Sequence, residues 1–225
     1  MSDLDLGPVW LTLRLAAVTV ALLLLVGTPL AWWLAHTRTR IKPLIEALTA
    51  LPLVLPPTVI GFYLLVLFAP AGVLGGPWLR LTGETLTFSF SGLVLASMIY
   101  SLPFVVQPLQ GAFEAVGRAP LEAAAVLGAR PLEAFFSVAS PLALRGYITA
   151  IVLGFAHTLG EFGVVLMVGG NIPGRTRVIS IAIYEQVETL QFAQAHVLSA
   201  GLLLFSFAVL VLVYTLNRRF PVQAT

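Results

Sequence analysis

Five apolar runs, each long enough to cross a bilayer as a helix, leave this chain few ways to fold. They cover about residues 9–35, 44–69, 88–109, 141–168 and 195–216. A helix needs about 20 apolar residues to span the hydrocarbon layer. The chain has 225 residues, 59% hydrophobic and 10% charged, and a mean hydropathy of +0.99. Soluble globular domains are not built this way. The expected fold is an all-α integral membrane protein: a polytopic bundle of about five transmembrane helices forming one domain over residues 1–225. Cysteine is absent, which excludes disulfides, thiolate metal sites and cysteine nucleophiles.

The flanks of the runs set the orientation. Asp3 and Asp5 precede the first run, and Arg38, Arg40 and Lys42 follow it. A cleavable signal peptide has the reverse order, so an uncleaved first helix is expected. Arg14 lies near its outer end, from where it can snorkel to the interface. With five spans, one side receives Arg38, Arg40, Lys42, Arg118, Arg130, Arg145, Arg218 and Arg219; the other receives Arg80, Arg175 and Arg177. Positive charge collects on the cytoplasmic side, so the N-terminus is expected outside and the C-terminus inside.

Proline marks the interior of two runs. Pro52, Pro56 and Pro57 predict a bend in the second, which either lines a passage or only packs. Pro103 and Pro108 predict a break in the third. The segment 70–87 reads as a Gly/Pro-rich loop, and a helical piece is expected near 181–187.

One polar stretch, residues 120–141, has its own punctuation. Pro120 starts a short helix, Glu122 sits in its first turn where a negative charge suits the dipole, and Ala123, Ala124 and Ala125 continue it with little bulk. Gly128 stands where a helix ends in a left-handed cap. Pro131 and Glu133 repeat the start signal, and Pro141 is expected to begin the fourth span. Two short helices hinged at a glycine result, the first with a nearly bare face.

Glu122-Ala123-Ala124, three residues, Gly128, nine residues, then Val138-Ala139-Ser140-Pro141 resembles the EAA loop of ABC-importer permeases. Val138 replaces the usual isoleucine there, and Ser140 the usual leucine. The sequences LPLVLPPTVIGFYLL (residues 51–65), LGEFG (159–163) and NIPGRTR (171–177) are similar to segments of the molybdate branch, with LGEFG shared by the sulfate/thiosulfate branch. The resemblance covers nearly the whole chain. It implies a type I importer permease with a cytoplasmic coupling loop at residues 111–141, in which Glu122, Ala123, Ala124, Gly128 and Pro141 engage a separate ATPase. It further implies a permease homodimer, two cytoplasmic ABC ATPases that bind ATP-Mg, and an extracytoplasmic solute-binding protein. The location implied is the bacterial inner membrane, with lipid around the spans and no nucleic-acid partner. The chain itself would hold no cofactor, catalyse no covalent chemistry, and pass molybdate or tungstate by alternating access. A sulfate/thiosulfate permease is the alternative within the family. A self-contained channel or membrane enzyme is the alternative outside it, although G-x-S-x-G, H-E-x-x-H and phosphate-loop patterns are missing.

Ionisable groups at membrane depth are costly and point to function. His157 and Glu161 are four apart and are expected to share a helix face. They fit a mutually satisfied pair, a lining of the solute path, or a metal or proton-relay site, although two ligands are too few for a closed metal site. Gly160, Phe162 and Gly163 surround Glu161, and with Pro56 and Pro57 they form the candidate path or gate. Asn171, Arg175 and Arg177 form an outer loop, either a solvated docking rim or an oxyanion contact.

Overall fold

The structure is a computed structural model and describes residues 5–219. All regular elements among the described residues are helical. They are α1 (Gly7–His36), α2 (Lys42–Ala50) with a 3-10 turn (Leu51–Leu53), α3 (Pro57–Phe68), α4 (Gly75–Thr82), α5 (Phe90–Val116), α6 (Ala119–Val126), α7 (Pro131–Ala134), a π-helical turn (Phe135–Ala139), α8 (Ser140–Leu142), α9 (Leu144–Gly160), α10 (Gly163–Gly169), α11 (Ile179–Glu188) and α12 (Phe192–Arg219). α1, α5 and α12 are each long and apolar enough to cross a membrane. Two bent helix pairs bring the number to five if each pair is one span.

The centre of the bundle is α1, α5 and α9. Leu23 and Leu34 of α1 pack with Val105, Val106, Leu109 and Phe113 of α5 and Ala150 of α9, all fully buried. Small residues permit the approach: a Cβ on Gly154 would lie 2.8 Å from a Val105 methyl.

Proline acts differently in the two marked runs. In the second, the pair Lys42–Leu53 and Pro57–Phe68 meets at 109°, so the expected single bent span is two helices crossing near a right angle. Pro52 is the middle residue of the 3-10 turn; Pro56 is extended, with φ −56° and ψ 138°, and Pro57 opens α3. Three missing amide donors within six residues leave no continuous ladder. In the third run the expected break at Pro103 and Pro108 does not occur, and α5 runs unbroken through both. Each proline there removes one donor, and the buried packing of Val105, Val106 and Leu109 holds the helix through them. α5 also continues to Val116, so residues 111–116 of the expected coupling loop are helix.

The segment 70–87, read as a loop, contains α4, which ends at Gly83 in a left-handed cap with φ +76°. Helical structure near 181–187 is found as α11.

The fourth run differs at both ends. Pro141 does not begin it; α7, the π turn and α8 form one helical stretch through Pro141. The Ser140 N–H reaches back five residues to the Phe135 carbonyl, a widened turn beside a residue that cannot donate. The stretch Pro131–Leu142 then meets Leu144–Gly160 at 71°. At its other end α9 stops at Gly160, and Glu161 is extended, with φ −66° and ψ 129°.

Candidate functional site

The two backbone breaks lie side by side. α3 begins at Pro57 and α10 at Gly163, and a Cβ on Gly163 would come 2.8 Å from the Pro57 Cβ. Gly61 makes the same kind of approach one turn on, where a Cβ would be 2.8 Å from Met167 Cβ. Both glycines let the half-helices touch. Between the breaks lies a cavity of about 520 Å³ lined by Pro57, Thr58, Tyr100, Ala156, His157, Gly160, Glu161, Phe162 and Gly163. Six of the seven expected path residues therefore meet in one place; Pro56 caps α3 outside the lining.

His157 and Glu161 do not share a helix face, because α9 ends between them. Nor are they a satisfied pair. His157 Nδ1 lies 2.9 Å from Ser101 Oγ, and its ring stacks on Phe104 with centroids 3.9 Å apart. Ser101 also meets Thr158 Oγ1 at 3.1 Å, so an imidazole and two hydroxyls satisfy one another between α5 and α9. Glu161 is 4% exposed, and neither of its carboxylate oxygens has a hydrogen-bond partner. The fully buried Ser97 hydroxyl lies beside it, outside hydrogen-bond geometry. The break is held from the other side by α11, where Ser180 Oγ donates to the Glu161 carbonyl at 2.6 Å. Among the described residues no group of three His, Cys, Asp or Glu can hold a metal ion.

Thr58, Tyr100, Ser97, Ser101 and Ser180 were not singled out from the sequence. A signal existed: Ser97 and Ser101 are four apart, on one face of a mostly apolar stretch of helix.

The 120–141 stretch folds largely as its punctuation requires. Glu122 is exposed in the first turn of α6. Gly128 has φ +90°, and the Ala129 N–H reaches back to the Ala124 carbonyl at 3.0 Å, closing a C-terminal cap. Arg130 N–H donates to Glu133 Oε2 at 3.4 Å. Ala124 is buried, whereas Ala123 is exposed. Val126 and Leu127 are each 88% exposed and Leu132 is 70% exposed. An apolar tip thus projects from the bundle. Pro141 lies in α8, at the base of this projection.

The other end carries Asn171, Arg175 and Arg177. Arg177 is engaged within its own loop: Nε donates to Asn171 Oδ1 at 2.6 Å, and Nη1 pairs with Glu185 at 3.2 Å. The amides of Arg175, Thr176 and Arg177 all turn back to the Ile172 carbonyl. This is a folded rim. Arg14 is also engaged, its guanidinium 4.5 Å over the Phe90 ring.

Residues 27–221 match the family described as binding-protein-dependent transport system inner membrane component. Over 220 residues the chain is 59% identical to the molybdenum transport system permease protein ModB of Azotobacter vinelandii, covering 98% of this chain and 97% of that protein. It is 38% identical over 189 residues to the protein of that name from Escherichia coli K12, covering 84% and 82%. Its fold is similar to a chain of the MetNI methionine ABC transporter solved in inward facing conformations, with a TM-score of 0.75 at 17% identity, covering 97% of this chain and 99% of that one.

Proposed function

The chain belongs to the family of binding-protein-dependent transport system inner membrane components, and we propose that it is the permease subunit of an ATP-driven importer for molybdate, with tungstate as the chemically closest second cargo. The observation that carries this reading is the 59% identity, over almost the full length of both chains, to a molybdenum transport permease.

In this reading two copies of the chain form a homodimer in the bacterial inner membrane. Two cytoplasmic ATPases bind ATP-Mg, and a solute-binding protein delivers the oxyanion from outside. The exposed apolar tip at Val126, Leu127 and Leu132 supports docking of α6 into an ATPase groove, since such a patch in water marks an interaction site. Closure of the ATPase pair pulls on α6, and the stretch from α7 to α8 passes the motion to α9 and to the break at Glu161. The path between the two breaks then opens alternately to each side. The folded rim at Asn171, Arg175 and Arg177 serves the outer docking surface. No cofactor is held by this chain, and its work is conformational.

Reconstitution tests this directly. Proteoliposomes holding the chain, its ATPase and a molybdate-loaded binding protein should accumulate molybdate on ATP hydrolysis and exclude sulfate. Sulfate uptake without molybdate uptake would move the chain to the sulfate branch. Robust ATP hydrolysis by the purified chain alone would contradict the division of labour.

A further inference from the structure

At the C-terminal ends of α1 and α5 the chain turns two corners side by side. α1 stops at His36, and Thr37 is extended, with φ −77° and ψ 144°. α5 stops at Val116, and Gly117 takes φ +67°, sending the chain to Arg118 and α6. Between the corners lies a pocket of about 330 Å³ whose polar lining is His36, Thr37, Arg38, Lys42, Glu114 and Arg118.

The helix ends there cancel. The C-terminal ends of α1 and α5 each carry about half a negative unit charge, and α2 and α6 begin beside the same corners with the opposite sign. The side chains do not cancel. Lys42 is shared by Glu46 at 3.6 Å and Glu114 at 3.5 Å. Gln110 Nε2 donates to the same two carboxylates, at 2.8 and 3.0 Å. The acids are satisfied in this way, and among the described residues neither the Arg38 nor the Arg118 guanidinium has an ion-pair or hydrogen-bond partner. Both arginines are exposed, so the pocket is open to the membrane surface. With His36 counted neutral, Arg38, Lys42 and Arg118 against Glu46 and Glu114 leave one positive charge. A guanidinium fork matches two oxygens of a phosphate, and a phosphodiester carries the single negative charge that is missing.

The surroundings set the pocket at headgroup level. Trp33, 37% exposed, stands in the last turn of α1, as aromatic side chains do at a membrane interface. Ile41, Leu44 and Leu48, at and along the start of α2, are exposed and put apolar surface beside the basic groups. A basic pocket between membrane helices is the chemistry that takes an anionic headgroup, and the apolar surface gives its tails a place to lie.

We propose that this pocket binds a phosphate group, gripped by Arg38 and Arg118. The apolar surface of α2 assigns the group to a phospholipid headgroup; free phosphate offers the same chemistry without tails. A phosphate held by both arginines ties the root of α6 to the end of α1.

Thermal unfolding of the purified full-length chain in dodecyl maltoside, whose sugar head carries no phosphate, tests the site. Dioctanoylphosphatidylglycerol should raise Tm by about 3 °C over dioctanoylglycerol, which has the same tails and no phosphate. Inorganic phosphate, compared with chloride at equal ionic strength, should raise it less. The double variant Arg38→Gln, Arg118→Gln should abolish the lipid shift. Arg40→Gln, which removes a charge outside the lining, should keep it. A shift from inorganic phosphate that equals or exceeds the lipid's, and is lost in the double variant, upholds the site and assigns it to the free ion. No shift from either compound, a shift that survives in the double variant, or one that falls as far in Arg40→Gln overturns the site and leaves only a diffuse basic surface.

Discussion

Gly146 of α9 lies against Ala112 of α5 so closely that a Cβ on Gly146 would fall 2.2 Å from the Ala112 Cβ, with the Pro108 carbonyl at 3.1 Å. The contact sits at the start of α9, just past the bend that joins α8 to the bundle. The Ala112 Cβ sets the limit there, with the Pro108 carbonyl behind it; neither can swing aside, so a side chain can be accommodated only by moving one helix. Gly146→Val should therefore destabilise the chain by about 1–3 kcal/mol, read as a lower unfolding midpoint in detergent. Gly111 meets nothing within 4 Å, and Gly111→Ala is the control expected to leave the midpoint unchanged.

Thr12 ties α11 to α1. Its Oγ1 accepts from the Ile179 N–H at 2.8 Å and donates to the Pro8 carbonyl at 2.7 Å, in a buried setting. Ile179 is the first residue of α11, so its amide has no partner within the helix. Thr12→Val keeps the shape and strands that amide, at a cost of about 1–3 kcal/mol. Hydrogen exchange along α11 should speed up in the variant and return toward the parent rate in Thr12→Ser. Unchanged exchange would mean that packing alone holds α11.

The orientation rests on the distribution of arginine and lysine and is open to direct labelling. Because the chain contains no cysteine, single replacements report unambiguously. Ala129→Cys, beside the cap of α6, should be shielded from an impermeant thiol reagent in intact cells and react after permeabilisation. Asn171→Cys should react in intact cells. The reverse pattern would invert the topology.

What the residues disclose depends on whether the cause is local. The cap at Gly128 was legible because a positive φ, a first-turn acid and a first-turn proline are properties of a few neighbouring residues. The meeting of Pro57 with Gly163 was legible only in part. Each break could be read from its prolines or glycines, but their contact depends on α3 and α10 packing across more than 100 residues of chain. The helix face expected to be shared by His157 and Glu161 is absent for a related reason. Spacing of four implies one face only while the helix lasts, and α9 stops at Gly160, where Ser180 from α11 draws on the Glu161 carbonyl. α5 passing through Pro103 and Pro108 shows tertiary packing prevailing over a local breaker.

The last prediction concerns coupling. Gly128 has φ +90°, and a Cβ there would meet nothing within 4 Å, so any penalty for replacing it is one of backbone conformation alone. Left-handed backbone costs an ordinary residue about 1–2 kcal/mol, and asparagine tolerates it better than most. Gly128→Val should redirect the chain leaving α6 and tilt Leu132 away from Val126 and Leu127. Gly128→Asn should largely keep the cap. Glu122 is exposed on α6, and Glu122→Lys reverses its charge without touching the bundle core. An interfacial charge-assisted contact is worth about 1.5–3 kcal/mol, so the reversal should weaken ATPase association by at least about tenfold. In the reconstituted complex, Gly128→Val and Glu122→Lys should insert in the membrane at normal levels. Both should lose uptake, either with ATPase binding or with hydrolysis running uncoupled from transport, while Gly128→Asn should retain most of it. Coupled uptake at the parent rate in both Gly128→Val and Glu122→Lys would remove α6 from the transmission route and leave its exposed apolar tip without a partner.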